Sequence, residues 1–163
     1  MLPHIIESGK VIIVGSKAGR TLNMTTEAIR ERVRDPDLNR EKLFQLMAEY
    51  EQSVIDKNSV EKGFYKRIYG VSKLGINNYA RVLAKYPEVI AKKIQVYVLC
   101  PGYVATGMTD FKAPLTLEEG IRTQMFLINL PYEVIPEYQG LYFEDCAVKT
   151  LELDWHVPSE QLL

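Results

Sequence analysis

Two stretches of the chain are apolar almost without a break, and several longer ones repeat apolar residues at helical spacing. Val11-Ile12-Ile13-Val14 is a β-branched run within residues 10–14, and Ile94 to Cys100 is nearly as apolar. Runs of this length suit strands buried on both faces of a parallel sheet. Gly140 leads into Leu141-Tyr142-Phe143, a third short strand. Between the first two runs, Ile76, Tyr79, Ala80, Leu83 and Tyr86 recur at steps of three and four, which predicts a helix opening at Tyr69. Leu43, Leu46, Met47, Tyr50, Val54 and Ile55 stripe an earlier helix, with Asn39 as its N-cap. A shorter helix is predicted over residues 25–33, ended by Asp35-Pro36. Thr116-Leu117-Glu118-Glu119 is a capping box, and its helix runs to Leu130 before Pro131 stops it. Leu2, Ile5 and Ile6, halted by Gly9, read as the last turn of a helix.

The order is strand, helical excursion, helix, strand, loop, helix, strand. Such alternation predicts an α/β fold, a parallel sheet with right-handed crossovers and helical cover. Ligands of open α/β sheets bind at the carboxyl ends of strands, where Ser16 and residues 101–108 fall. Three strands offer the outer edge of the first one nothing to pair with. That edge is expected to be open and apolar, an association site.

Composition narrows the function classes. The 163 residues suffice for one domain with a sizeable core, and 47% are apolar. A net charge of −1, with both signs interspersed, gives no footprint for nucleic acid or an anionic membrane. No apolar run is long enough to span a bilayer. Cys100 and Cys146 form neither a disulfide framework nor a metal motif, which fits a reducing, cytoplasmic compartment. His4 and His156 lie far apart without metal-ligating neighbours, so no metal site is expected.

Tyr69-Gly70-Val71-Ser72-Lys73 carries the candidate chemistry. Residues four apart stand on one helix face. A phenol with a pKa of about 10 shuttles protons poorly at neutral pH, and a lysine cation beside it favours the phenolate. A Tyr-x-x-x-Lys pair can therefore exchange a proton with a substrate oxygen. By itself the pattern is common, and a core aromatic beside a solvated lysine is the plain alternative.

With its neighbours the pattern resembles the short-chain dehydrogenase/reductase family. Val11 to Ser16 is similar to the family's strand ending in the catalytic serine, and Tyr69 to Lys73 to its Tyr-x-x-x-Lys. Pro101-Gly102-Tyr103-Val104-Ala105-Thr106 resembles its Pro-Gly-x-Val-x-Thr loop at the nicotinamide end of the cofactor. The long gap between Ser16 and Tyr69, with Thr116-Leu117-Glu118-Glu119-Gly120, resembles the monomeric carbonyl reductase branch. The resemblance implies NADPH as cofactor and a small ketone or aldehyde as substrate. It implies Ser16, Tyr69 and Lys73 as catalytic residues, with Tyr69, Lys73, Pro101, Gly102, Val104 and Thr106 binding cofactor. Tyr103 is placed at the substrate pocket, with packing as its alternative. Residues 20–64 correspond to a helical insertion that covers the helix face used elsewhere in the family for dimerisation.

The resemblance is to a half. No Gly-x-x-x-Gly-x-Gly turn for a diphosphate is present, because Gly15 and Gly19 are too sparse and a polar excursion follows them. Residues 1–163 are thus expected to form one partial domain, the C-terminal half of a Rossmann-like doubly wound sheet. Two expectations follow. The chain is the catalytic half of a carbonyl reductase that needs an N-terminal half or another chain, or it is a non-catalytic remnant in a larger assembly.

Overall fold

A parallel pair of strands, β1 (Lys10–Val14) and β2 (Gln95–Leu99), forms the base of the fold, with Val11 opposite Val96 and Val14 opposite Leu99. The computed structural model describes residues 2–131, 133 and 136–149; the tail residues Trp155, His156 and Pro158 lie outside them. β3 (Tyr142–Glu144) continues the sheet parallel to β2, and β4 (Ala147–Lys149) returns antiparallel to β3. The order β1-β2-β3-β4 leaves β1 at an edge.

That edge corrects one expectation. β2 is buried at all five positions, whereas β1 is half-buried and Val14 is 50% exposed. A β-branched run is compatible with burial on both faces but cannot supply the neighbour that completes it. The residues before Gly9 form only a 3-10 turn, Leu2–His4, rather than an α-helix end. Lys92 ties this segment down by donating to the carbonyls of Leu2, Pro3 and Ile5.

Among the described residues there are five α-helices: α1 (Glu27–Arg34), α2 (Arg40–Ile55), α3 (Ile68–Ala84), α4 (Pro87–Ala91) and α5 (Leu117–Ile128). Asn39 caps α2 by accepting from the Lys42 N–H, and Thr116 and Glu119 form the reciprocal box that starts α5. Strand alternation sorts the core into two faces. Val96 and Val98 pack with Ala80, Leu83 and Val89 of α3 and α4; Tyr97 and Leu99 pack with Leu127 of α5 and with Phe143. The outer side of α3 is covered in turn. Val71 and Leu74 share a cluster with Met24, Ile29, Val33, Leu46, Tyr50 and Phe64 from residues 20–64. This double burial holds α3 and its first turns in place against β1.

Candidate active site

Ser16 follows β1 directly, and residues 101–106 follow β2. Because Val14 and Leu99 are paired, the two loops leave neighbouring strand ends. α3 brings Tyr69 and Lys73 to the same end. The Lys73 Nζ donates to the Val14 carbonyl at 3.0 Å and lies 5.8 Å from the centroid of the Tyr69 ring. The expected shared face is therefore present, with the ammonium within cation–π range of the tyrosine. Tyr69 is 59% exposed, on the side of α3 away from its buried Val71–Leu74 stripe.

Ser16 is buried, and its hydroxyl oxygen accepts from the Ala18 N–H at 3.1 Å, capping the 3-10 turn Lys17–Gly19. Accepting there leaves the hydroxyl hydrogen as the group Ser16 can offer. The turn is fastened to α3 by Asn77, a residue the pattern of apolar positions does not single out. Asn77 is fully buried; its Oδ1 accepts from the Ser16 N–H at 3.3 Å. Its Nδ2 donates to the carbonyls of Ser16 and Gly19 at 2.9 and 3.2 Å. Two glycines make this approach possible. A Cβ on Gly15 would stand 2.1 Å from the Asn77 Oδ1, and one on Gly19 would stand 2.3 Å from the Lys73 carbonyl carbon. The signal for Asn77 was its position, a polar residue on the buried stripe of a helix.

The loop after β2 is anchored to α5. Gly102 adopts a left-handed φ of +85°, and a Cβ there would press on Leu115. Val104 bridges to Leu115, the Ala105 N–H donates to the Leu115 carbonyl at 2.8 Å, and Val104 packs on Gly120. The Glu119-Gly120 pair thus has two jobs: the carboxylate caps the helix and the glycine admits the loop. Thr106 caps a 3-10 turn, Gly107–Thr109, within which its own N–H donates to Thr109 Oγ1 at 2.9 Å. Tyr103, Met108 and Phe111 are exposed along this loop. Pro101 and Gly102 are partly exposed beside the β2 end.

Three other polar side chains near this end of the sheet are already engaged with one another. Lys17 and Glu144 form an ion pair at 3.5 Å, and the Tyr142 hydroxyl donates to Glu144 at 3.5 Å. Burial pushes the Tyr142 phenol strongly upward, with Cys100 and Glu144 adding to it, so it stays protonated. Among the described residues no cluster of His, Cys, Asp and Glu could hold a metal ion.

A nicotinamide nucleotide would find only part of what it needs. At the ring and ribose end, the Lys73 ammonium, the Tyr69 hydroxyl and the backbone of residues 101–106 could supply donors. The diphosphate calls for backbone N–H groups at a glycine-lined turn. The glycines behind β1 are instead filled by packing, Gly15 by Asn77 and Gly19 by the backbone of α3. The residues present fit one end of the cofactor and not the other.

No family model matches the chain. It is 31% identical over 153 residues to carbonyl reductase [NADPH] 3 of Rattus norvegicus, covering 92% of this chain and 55% of that protein. It is 30% identical over 165 residues to carbonyl reductase [NADPH] 1 of Sus scrofa, covering 98% and 55%. With short-chain dehydrogenase/reductase 1 of Saponaria officinalis the identity is 32% over 150 residues, covering 90% and 47%. Salutaridine reductase from Papaver somniferum superposes with a TM-score of 0.69 at 26% identity, over 84% of this chain and 45% of that structure. The chain spans about half the length of the curated relatives it matches.

Proposed function

For a chain that belongs to the short-chain dehydrogenase/reductase family, as a counterpart of half a carbonyl reductase, we propose a role as the substrate-activating half of an NADPH-dependent carbonyl reductase. The substrate is a small ketone or aldehyde. When bound, the cofactor supplies a hydride to the carbonyl carbon. The chain's own residues act on the oxygen. Tyr69 donates its phenolic proton as negative charge builds there, and the Ser16 hydroxyl donates a second hydrogen bond to the same atom. Lys73 favours the ionised form of Tyr69 after the proton has left and offers donors to the nicotinamide ribose. Pro101, Gly102, Val104 and Thr106 border the nicotinamide, and Tyr103 borders the substrate. Cofactor affinity at the diphosphate comes from a segment that residues 2–149 do not provide.

The observation that carries this reading is the fastening of the Ser16 turn to the helix bearing Tyr69 and Lys73, through Asn77 and Gly19. A serine that merely sits in a turn has no need of a fully buried amide to fix its backbone. A second reading, a non-catalytic remnant in a larger assembly, draws on the missing diphosphate turn. One experiment separates them. The chain is combined with the unmatched remainder of the rat carbonyl reductase, and NADPH-dependent ketone reduction is followed by loss of the reduced nicotinamide absorbance. The isolated chain should bind no NADPH in calorimetry. The combination should turn over, and Tyr69→Phe should abolish turnover with cofactor binding nearly intact. Full activity in Tyr69→Phe would sink the assignment; inactivity of a combination that binds NADPH would favour the remnant.

A further inference from the structure

Lys17 and Glu144 stand on strands that do not pair with each other. Lys17 opens the turn after β1, Glu144 ends β3, and β2 lies between them. Neighbouring strands are about 4.8 Å apart, so the ion pair spans roughly 10 Å of sheet. Backbone hydrogen bonds cannot join such strands, but two long side chains can. Tyr142 clusters with Val96, Val98 and Cys100 on the α3 face, and Glu144, two residues on, shares that face. The Lys17 ammonium therefore passes the end of β2 on the α3 side and meets the Glu144 Oε1 at 3.5 Å.

Glu144 is built into the fold. Its side chain is 13% exposed against 54% for Lys17, so the pair is screened less than one in open water. Its other oxygen takes the Tyr142 hydroxyl, which is buried and in hydrogen-bond contact with the Cys100 thiol. The Cys100 sulfur in turn accepts from the Gly102 N–H at 3.4 Å. The loops after β1 and β2 thus both run back to one carboxylate. The turn that follows it is strained, because Asp145 and Cys146 adopt left-handed φ values of 54° and 60°, costly for residues with a side chain. It is fastened from behind by the Cys146 N–H, which donates to Oγ1 of the buried Thr123 in α5 at 3.1 Å. A strained turn held in this way fixes the direction of the residue before it.

The serine turn needs such a tether on its β3 side. Asn77 holds the two ends of the turn, at Ser16 and Gly19. The Ser16 hydroxyl takes its direction from the Ala18 N–H, in the middle of the turn, and the neighbouring Lys17 side chain ties that middle to β3. We infer that Glu144 is a positioning residue for Ser16: acting through the Lys17 ammonium, it anchors the serine turn to β3 across the end of β2 and so sets where the Ser16 hydroxyl stands. The inference rests on the reading of Ser16 as a donor to the substrate oxygen. It adds a reason for two charged residues, neither of which touches the reacting atoms.

The test has one arm that needs turnover and one that does not. In the 163-residue chain, Glu144→Gln keeps the size of the side chain and removes its charge. Amide hydrogen exchange at Ala18 and Gly19 should quicken by about threefold or more, while the Cys146 amide, held by Thr123, should not change. With the unmatched remainder of the rat carbonyl reductase present, Glu144→Gln should lower kcat for ketone reduction by roughly three- to tenfold and leave the KM for NADPH unchanged. That is a fraction of the ~10²–10³ that loss of the whole Ser16 donor should cost. Lys17→Met should match Glu144→Gln, the double variant should be no worse than either, and Lys17→Arg should restore the parent rate. In a Ser16→Ala background, Glu144→Gln should have no further effect on kcat, a result that general damage to the fold would not give.

Unchanged exchange at Ala18 and Gly19 would overturn the inference. So would quickening at Cys146 alongside them, additive losses in the double variant, or an equal loss of kcat in the Ser16→Ala background. If the parent combination binds NADPH without turning over, exchange alone decides. Quickening confined to the serine turn would then keep the tether and refute the catalytic reading of Ser16, and unchanged exchange would refute both.

Discussion

Replacing Asn77 by leucine tests whether one amide positions the serine turn. Asn77 makes three hydrogen bonds to backbone groups of Ser16 and Gly19, and it is fully buried. The three do not count equally. The Ser16 carbonyl also accepts from the Gly19 N–H at 3.0 Å, so it keeps a partner when Asn77 is lost. The Ser16 N–H and the Gly19 carbonyl are left buried without one. At about 1–3 kcal/mol for each orphaned group, Asn77→Leu should cost roughly 2–6 kcal/mol. For a chain of this size that corresponds to a fall in Tm of about 4–24 °C. Neighbouring Asn78 is the comparison: it is buried too, but its Nδ2 donates to Leu74 and its Oδ1 accepts from Arg81, both within the same helix. Asn78→Ala should lose about 1–3 kcal/mol and leave the serine turn in place. Asn77→Asp adds a pH signature. The acid keeps an acceptor for the Ser16 N–H but, when ionised, faces two carbonyl oxygens. Its folded pKa must rise above the unfolded value near 3.9, so the folded state binds more protons and stability falls as pH rises past about 4. Denaturant unfolding followed by circular dichroism at acidic and neutral pH measures all three variants. If Asn77→Leu unfolds within about 1 kcal/mol of the parent, the turn is held by something else.

Other outcomes follow from the same geometry. Gly19→Ala would drive a methyl into the α3 backbone at Lys73, where no flexible side chain can yield; it should destabilise by roughly 1–3 kcal/mol or more, measured by thermal unfolding. Tyr97, fully buried, has its phenol pushed up to about 12 by burial, with Tyr138 adding to it. Its contribution to stability is whole below pH about 10 and is lost as pH rises from there toward about 12, so an alkaline titration of Tm should fall within that window and Tyr97→Phe should flatten it.

Most elements were legible because their signals are local. The β-branched run at 11–14, the stripe after Tyr69, the Asn39 cap and the Thr116–Glu119 box each encode a conformation within a few residues. The hairpin from β3 to β4 was not, because its turn residues Asp145 and Cys146 both adopt left-handed φ values of 54° and 60°. Such a turn is announced in sequence by Asn-Gly or Asp-Gly, and an Asp-Cys pair carries that conformation only because the strands on either side are held by the sheet. The short helix α4 escaped for a similar reason, being five residues fixed by Val89 in the core rather than by periodicity.

The site divides the same way. Sequence alone determined which residue types stand at helical and strand-end positions, and hence that a serine, a tyrosine and a lysine could share one end of a sheet. Tertiary structure decided what each one touches. Whether Val14 is central or at an edge depends on which strand lies beside it, and that is fixed by chain order in space, not by the apolarity of Val14 itself. Whether Asn77 points to solvent or into the Ser16 turn depends on α1 and α2 burying one side of α3 and β2 the other. A side chain's partners come from segments dozens of residues away, 61 in the case of Asn77 and Ser16 and 59 for Lys73 and Val14. Local pattern constrains conformation, whereas a buried hydrogen bond is chosen by packing.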